Sequence, residues 1–196
     1  MLYEASRDAE LLQVLQSADY ALPDGAGIFV SYQVQKSTLP IVLKYLMFPY
    51  WCLRSIIHSR GLRALYGERI TGAYLTRDLL DFAEQRKIPV TIIDPIVYGN
   101  TSGDRAKKNS QSCIQEKILE KFPGLNVTVL VTDETPSNIL HHGIVFATHG
   151  GGKQEKLLSK ILEKNTQCGL LLGVGGSIDL LTGFRAPAPR FFQRFG

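Results

Sequence analysis

Residues 143–183 read GIVFATHGGGKQEKLLSKILEKNTQCGLLLGVGGSIDLLTG. An apolar run enters a glycine cluster, an amphipathic stretch KQEKLLSKILEK follows, and CGLLLGVGG then repeats the arrangement with SIDLLTG as a short helix beyond. The first run is too short for a helix and reads as a buried strand, and so does the second. Upstream, NVTVLVT (126–132) and IPVTIID (88–94) are β-branched runs of the same kind. Helical spacing predicts helices over Ser110–Phe122, closed by PGL, over Ala73–Arg86 and over Glu10–Ser17, with a short helical piece around Asn138–His142. PDGAG is a turn, IFVSYQV continues from it helically, and the tail APAPRFFQRFG starts extended because of its prolines. Strands alternating with helices are the pattern of an α/β fold, a mostly parallel sheet with helices on both faces. Such sheets bind ligands beyond the carboxyl ends of their strands, which is where both glycine clusters fall.

The bulk composition agrees with one folded domain, residues 1–196. A length of 196 residues is close to the usual ~150 per domain, and no repeat or low-complexity tract divides it. With 44% hydrophobic and 20% charged residues, disorder, collagen and a disulfide scaffold are excluded. A net charge of +4 is too small to argue for nucleic acid. The three cysteines, Cys52, Cys113 and Cys168, are odd in number and lack CxxC spacing, which fits a reduced intracellular chain without structural zinc. MLYEASRDAE is not a secretory signal.

Residues 39–57, LPIVLKYLMFPYWCLRSII, depart from this average. Lys44 and Arg54 are the charges within it, and Pro40 and Pro49 interrupt it, so it is not an ordinary bilayer span, which needs ~18 or more apolar residues. Tyr45, Phe48, Tyr50 and Trp51 cluster as rings do at headgroup depth. From 36 to 69, Lys36, Lys44, Arg54, Arg60, Arg63 and Arg69 face Glu68 alone, so this segment carries the basic excess of the whole chain. One reading is two core helices joined at Pro49; the preferred one is a hydrophobic, basic insertion over 36–66 that faces a membrane or a partner. Its apolar surface suits a second subunit as readily as lipid, which leaves a homo-oligomer open.

Four clusters are candidates for chemistry. Gly150-Gly151-Gly152-Lys153-Gln154-Glu155 brings backbone N–H groups, a helix N-terminus and the Lys153 charge toward an anion, with Gln154 able to bind a sugar or base. It does not match GxxxxGK[ST]. Gly173-Val174-Gly175-Gly176-Ser177-Ile178-Asp179 repeats the geometry but lacks GxGxxG, so a nicotinamide-dependent oxidoreductase is supported by the glycine turns alone. Pro23-Asp24-Gly25-Ala26-Gly27 sets the Asp24 carboxylate on a tight turn, where a general base belongs; the bland alternative is an ordinary PDG turn. Gly67-Glu68-Arg69-Ile70-Thr71-Gly72 offers Arg69 for bidentate phosphate contact. His141, His142 and His149 form no HExxH or HxH set, and no metal site is expected.

In this order, ADYALPDGAGI (18–28), GERITGAYL (67–75), FPGL (122–125), GGGKQEKLL (150–158) and GVGGSIDLLTGFRAPAPRFFQRFG (173–196) resemble the WecG/TagA/CpsF glycosyltransferases. The resemblance covers roughly residues 5–35 and 67–196. It implies a Rossmann-like α/β enzyme, with the segment 36–66 as a hydrophobic helical insertion. The implied reaction is an inverting, metal-independent transfer of a sugar, N-acetylmannosamine-like, from a UDP-sugar to a polyprenyl-diphosphate-linked N-acetylglucosamine. Teichoic acid, capsule and exopolysaccharide synthesis are the settings, and the implied location is the cytoplasm, peripheral at the inner membrane face. No cofactor is implied beyond the UDP-sugar donor. Carried onto this chain, Asp24 is the general base, Arg69 neutralises the diphosphate, Gln154 binds donor sugar or nucleotide, and the Gly175-Gly176 turn approaches UDP. Gly25, Thr71 and Lys153 complete the expected substrate-binding set.

The pattern departs in four places. The strand with a Thr-x-Asn motif that opens family members is not matched. The usual GxPKQE is GGGKQE here, with Gly152 for the proline. A strand that normally ends in Gly-Gly ends in Asp94-Pro95. The match stops at Gly196, before the basic C-terminal appendage of the family, so a chain of this extent is expected to bind nucleotide while turning over poorly. The competing expectation is a catalytically silent nucleotide-sugar or lipid-binding module of the same fold.

Overall fold

The computed structural model describes residues 2–22, 30–31, 34–57, 72–96, 111–136, 142–164, 167 and 169–186. The chain divides into two compact units, Met1–Ala21 with Gly72–Ala186, and Leu22–Thr71 with Pro187–Gly196. The helices are α1 (Leu2–Ala5), α2 (Ala9–Ser17), α3 (Ile41–Ile57), α4 (Gly72–Arg86), α5 (Gln111–Leu119), α6 (Lys153–Lys164) and α7 (Ser177–Thr182), and the strands β1 (Val90–Asp94), β2 (Val127–Val131), β3 (Ile144–Ala147) and β4 (Leu170–Gly173).

In the first unit the four strands form one sheet in the order β2-β1-β3-β4, every pair parallel. Because side chains alternate along a strand, the sheet feeds two cores. Val90 and Ile92 of β1, Val127 and Val129 of β2, and Ile144 and Phe146 of β3 pack with Leu80, Ala83, Ile114, Ile118 and Ile178, which places α4, α5 and α7 on one face. Ile93, Val145 and Ala147 point the other way and meet Leu157 and Ile161 of α6. The sheet is therefore covered by helices on both faces, as the alternation in the sequence predicts. The central strands β1 and β3 are buried along their whole length, while β2 and β4 at the edges are partly exposed. Each fully buried isoleucine or phenylalanine contributes roughly 1.5–3 kcal/mol, so the core draws its stability mainly from these central strands.

Local signals set the element ends. Asp8 caps α2 by accepting a hydrogen bond from the Leu11 N–H at 3.1 Å. The FPGL segment turns the chain from α5 into β2: Phe122 and Leu125 are buried, and the Gly124 N–H donates to Glu84 Oε1 of α4 at 2.7 Å. At the N-terminal end, α2 packs on α6. Leu11 is buried there, and the Lys156 ammonium bridges Asp8 Oδ2 at 2.6 Å and Glu10 Oε2 at 2.7 Å.

In the second unit the sequence 41–57 forms one helix, α3, which runs through Pro49. Two helices joined at Pro49 are thus replaced by a single one. The hydrogen bond that proline forfeits is the one to the carbonyl of Tyr45, and Tyr45 is on the exposed side, where water can satisfy that group. Residues 34–36 are helical, as are 30–31, in keeping with the helical reading of IFVSYQV. No helix among the described residues is long and apolar enough to cross a membrane. The helical piece expected near Asn138–His142 and the tail from Pro187 lie, apart from His142, outside the described residues.

Candidate functional site

The strand order reverses between β1 and β3: the chain leaves β1 toward β2 on one side and returns to β3 on the other. The carboxyl ends of these two strands splay their connections apart, which makes the crevice where open parallel sheets receive ligands.

After β3 the chain passes through Thr148 and His149 into the glycine turn and enters α6 at Lys153. Gly151 and Gly152 have φ of +63° and +74°. A Cβ on Gly152 would come within 2.7 Å of Leu11 Cδ2, so α2 closes directly over the turn. Proline is held near φ −65° and cannot adopt this conformation, so GGGKQE is a change of backbone path and not only of side chain. The Lys153 side chain is exposed, and its N–H donates to the Gly150 carbonyl at 3.3 Å.

Gln154 reaches across to the second glycine turn. Its Oε1 accepts from the Gly175 N–H at 3.0 Å, while its Nε2 donates to Glu155 Oε1 at 2.8 Å. A Cβ on Gly173 would lie 2.8 Å from the Gln154 amide, so glycine at the end of β4 leaves the room this side chain occupies. Gln154 and Gly175, predicted separately, are thus in direct contact. The structure adds a role for Gln154 that the sequence did not indicate, as the tie between the two turns. At Gly176 a Cβ would sit 3.0 Å from Arg185 Nη1, which sets a guanidinium against the second turn. Arg185 lies in the quoted GFRAP segment, yet its distance from the glycines along the chain concealed the approach.

A buried polar cluster at the ends of β1 and β3 was also missed. Asp94 closes β1, is 1% exposed, and accepts a short hydrogen bond from the Thr148 hydroxyl. His149 is 4% exposed; its Nε2 lies 3.0 Å from the Thr132 carbonyl and 3.6 Å from Asp133 Oδ1. A carbonyl only accepts, so Nε2 donates to it, and in the neutral ring Nδ1 is then an acceptor. Among the described residues His149 Nδ1 and Glu155 Oε2 are buried acceptors with no hydrogen-bond partner, and they bracket the glycine turn in sequence. Buried polar groups are normally satisfied, so these two atoms leave hydrogen-bonding capacity beside the turn that the described residues do not use. The signal in the sequence was the departure Asp94-Pro95 and the lone His149 before the glycines.

Asp24, Gly25, Arg69 and Thr71 lie outside the described residues. Among the described residues no group of histidine, cysteine and carboxylate side chains forms a metal-ligand set.

The chain is 29% identical, over 98% of its length, to the N-acetylglucosaminyldiphosphoundecaprenol N-acetyl-beta-D-mannosaminyltransferase of Bacillus spizizenii (strain W23). It spans 63% of the length of that relative. Residues 55–196, which include both glycine turns, Gln154 and Arg185, match the model of the glycosyl transferase WecG/TagA/CpsF family, and the chain belongs to that family of glycosyltransferases.

Proposed function

We propose that this chain is an inverting, metal-independent glycosyltransferase that moves an N-acetylmannosamine-like sugar from a UDP-sugar to a polyprenyl-diphosphate-linked N-acetylglucosamine. Donor and acceptor sugars follow the activity for which the Bacillus relative is named, and the surface polysaccharides of a cell wall are the corresponding setting. The observation that carries the donor half of this reading is the pair of glycine turns tied together by Gln154 at the carboxyl edge of β3 and β4. Two close backbone turns with Lys153 and Arg185 beside them suit a diphosphate, because N–H groups and cations there need no reorganisation as charge builds on the leaving group.

In this mechanism Asp24 removes the proton from the acceptor hydroxyl. That oxygen forms the new bond to the anomeric carbon from the face opposite the leaving UDP, so the configuration inverts as the bond to the diphosphate oxygen breaks. Arg69 neutralises the departing diphosphate. Gly25 and Thr71 complete the substrate contacts beside Asp24 and Arg69. Because the acceptor is held by a lipid, the reaction takes place at a membrane surface.

Calorimetric titration with UDP, with NAD as the control, tests the donor site. UDP binding that Arg69→Ala abolishes is expected. Binding of NAD in preference to UDP would overturn the reading in favour of an oxidoreductase. A transfer assay with UDP-N-acetylmannosamine and lipid-linked N-acetylglucosamine then tests the reaction; UDP binding without product would leave a nucleotide-sugar-binding module.

A further inference from the structure

The second unit carries a feature that donor chemistry does not use. A helix on a protein surface ordinarily turns polar residues to water, but α3 does the reverse. Trp51 is buried and Lys44, Met47 and Cys52 are half-buried, while Ile41, Val42, Tyr45 and Leu46 are between 67% and 76% exposed, and Phe48, Tyr50 and Leu53 are about half exposed. The spacing explains the division. Positions 44, 47 and 51 fall on one side of the helix, and 42, 45, 46, 49 and 53 on the other. The outward side over these positions holds Val42, Tyr45, Leu46, Pro49 and Leu53, without a charge.

We propose that α3 docks in the plane of an anionic lipid bilayer, with the Val42–Leu46–Leu53 face in the acyl boundary. Three observations favour this occupant. First, the sequence from 36 to 63 holds five cationic residues, Lys36, Lys44, Arg54, Arg60 and Arg63, and no acidic one, a charge that attracts an anionic surface and repels a second copy of the same segment. Second, the 17 residues of α3 reach about 26 Å, short of the ~30 Å hydrocarbon core, and Lys44 and Pro49 lie within it, so the helix lies flat and does not cross. Third, Tyr45 and Tyr50 border the apolar face, with ring and hydroxyl suited to headgroup depth. This inference deepens the proposed function by naming the element that meets the membrane and the lipid charge it reads, and its test contains neither donor nor acceptor, so it fails or stands separately from the transferase reading.

The test is co-sedimentation of the whole chain with vesicles of phosphatidylcholine alone and of phosphatidylcholine with 30% phosphatidylglycerol, in low and high salt. Strong binding to the anionic vesicles is expected, at least tenfold weaker on the neutral ones and weakened several-fold by high salt. The triple variant Val42→Ser, Leu46→Ser, Leu53→Ser, all at exposed positions, is expected to lose at least tenfold in vesicle affinity with an unchanged circular dichroism spectrum. Equal binding by the variant, or no preference for anionic vesicles, would overturn the proposal. So would a wild-type dimer by light scattering that the variant converts to monomer without any vesicle binding, because the occupant would then be a second copy.

Discussion

Gln154→Ala should loosen the second glycine turn before it affects anything else. The amide accepts one half-buried hydrogen bond from the Gly175 N–H through Oε1 and donates another to Glu155 through Nε2. Net hydrogen bonds of this kind contribute about 0.5–1.5 kcal/mol each, and water can reach part of the vacated site, so a loss of about 1–2 kcal/mol is expected. For a chain of this size that is roughly 2–8 °C in Tm. Gln154→Glu sharpens the test. Its carboxylate could still accept from Gly175, but it would stand where Nε2 now lies, 2.8 Å from Glu155 Oε1. Two like charges at such a separation repel by about 1.5–6 kcal/mol between bulk water and a half-buried site, so the side chain swings out and the bridge is lost with it. The expected order of stability is wild type, Gln154→Ala, Gln154→Glu, by urea unfolding. UDP affinity by calorimetry should follow the same order, about tenfold lower at each step, because the glutamate also adds negative charge where a diphosphate is to sit. If both variants unfold within about 0.5 kcal/mol of wild type, the change a neutral surface substitution makes, the bridge does not order the turn and the reasoning fails.

Gly152→Ala should cost about 2–4 kcal/mol, combining a left-handed φ with the collision against Leu11, whereas Gly151→Ala, with the same sign of φ and its nearest neighbour 3.8 Å away, should cost only about 1 kcal/mol; equal losses by thermal unfolding would remove the packing argument. The Lys156 hydrogen bond holds the Asp8 carboxyl below its ordinary value of 3.8, and the bonds to Asp8 and then Glu10 hold Lys156 above 10.5. A lowered acid stabilises above its unfolded value and loses that as pH falls through the folded one; a raised base stabilises below its unfolded value and loses that as pH rises through the folded one. The bridge is therefore constant between about pH 5 and 9, and Lys156→Met should flatten the pH dependence of unfolding below pH 3.8, a slope that persists unchanged if the bridge is idle. Asp24→Asn should keep UDP affinity within a few-fold and lower turnover by ~10²–10⁴, and near-wild-type turnover would remove it from the mechanism.

Much of the fold was legible because the signals are local. KQEKLLSKILEK became α6 over the same residues, Lys153–Lys164, since its apolar positions fall on one helical stripe and glycines precede it. IPVTIID shortened to Val90–Asp94 because Pro89 has no N–H to donate to a ladder. Reading 39–57 as two helices failed at Pro49, where an exposed carbonyl tolerates the lost bond that burial would forbid. Gln154 and the Gly175-Gly176 turn were legible as residues, but each was assigned to a ligand separately.

The amino-acid sequence by itself determined the elements, the parallel α/β class and the two glycine turns, because period, turn chemistry and strand propensity act over a few neighbouring residues. Only the tertiary structure decided the order β2-β1-β3-β4 and the contacts it creates. Gln154 meets Gly175, the Thr148 hydroxyl meets Asp94, Leu11 meets Gly152, and Arg185 meets Gly176 through packing that no local pattern encodes. It likewise decided that the apolar side of α3 faces outward. Hydrophobicity tells how strongly a side chain avoids water, but which surface it finds depends on what the rest of the chain has already buried.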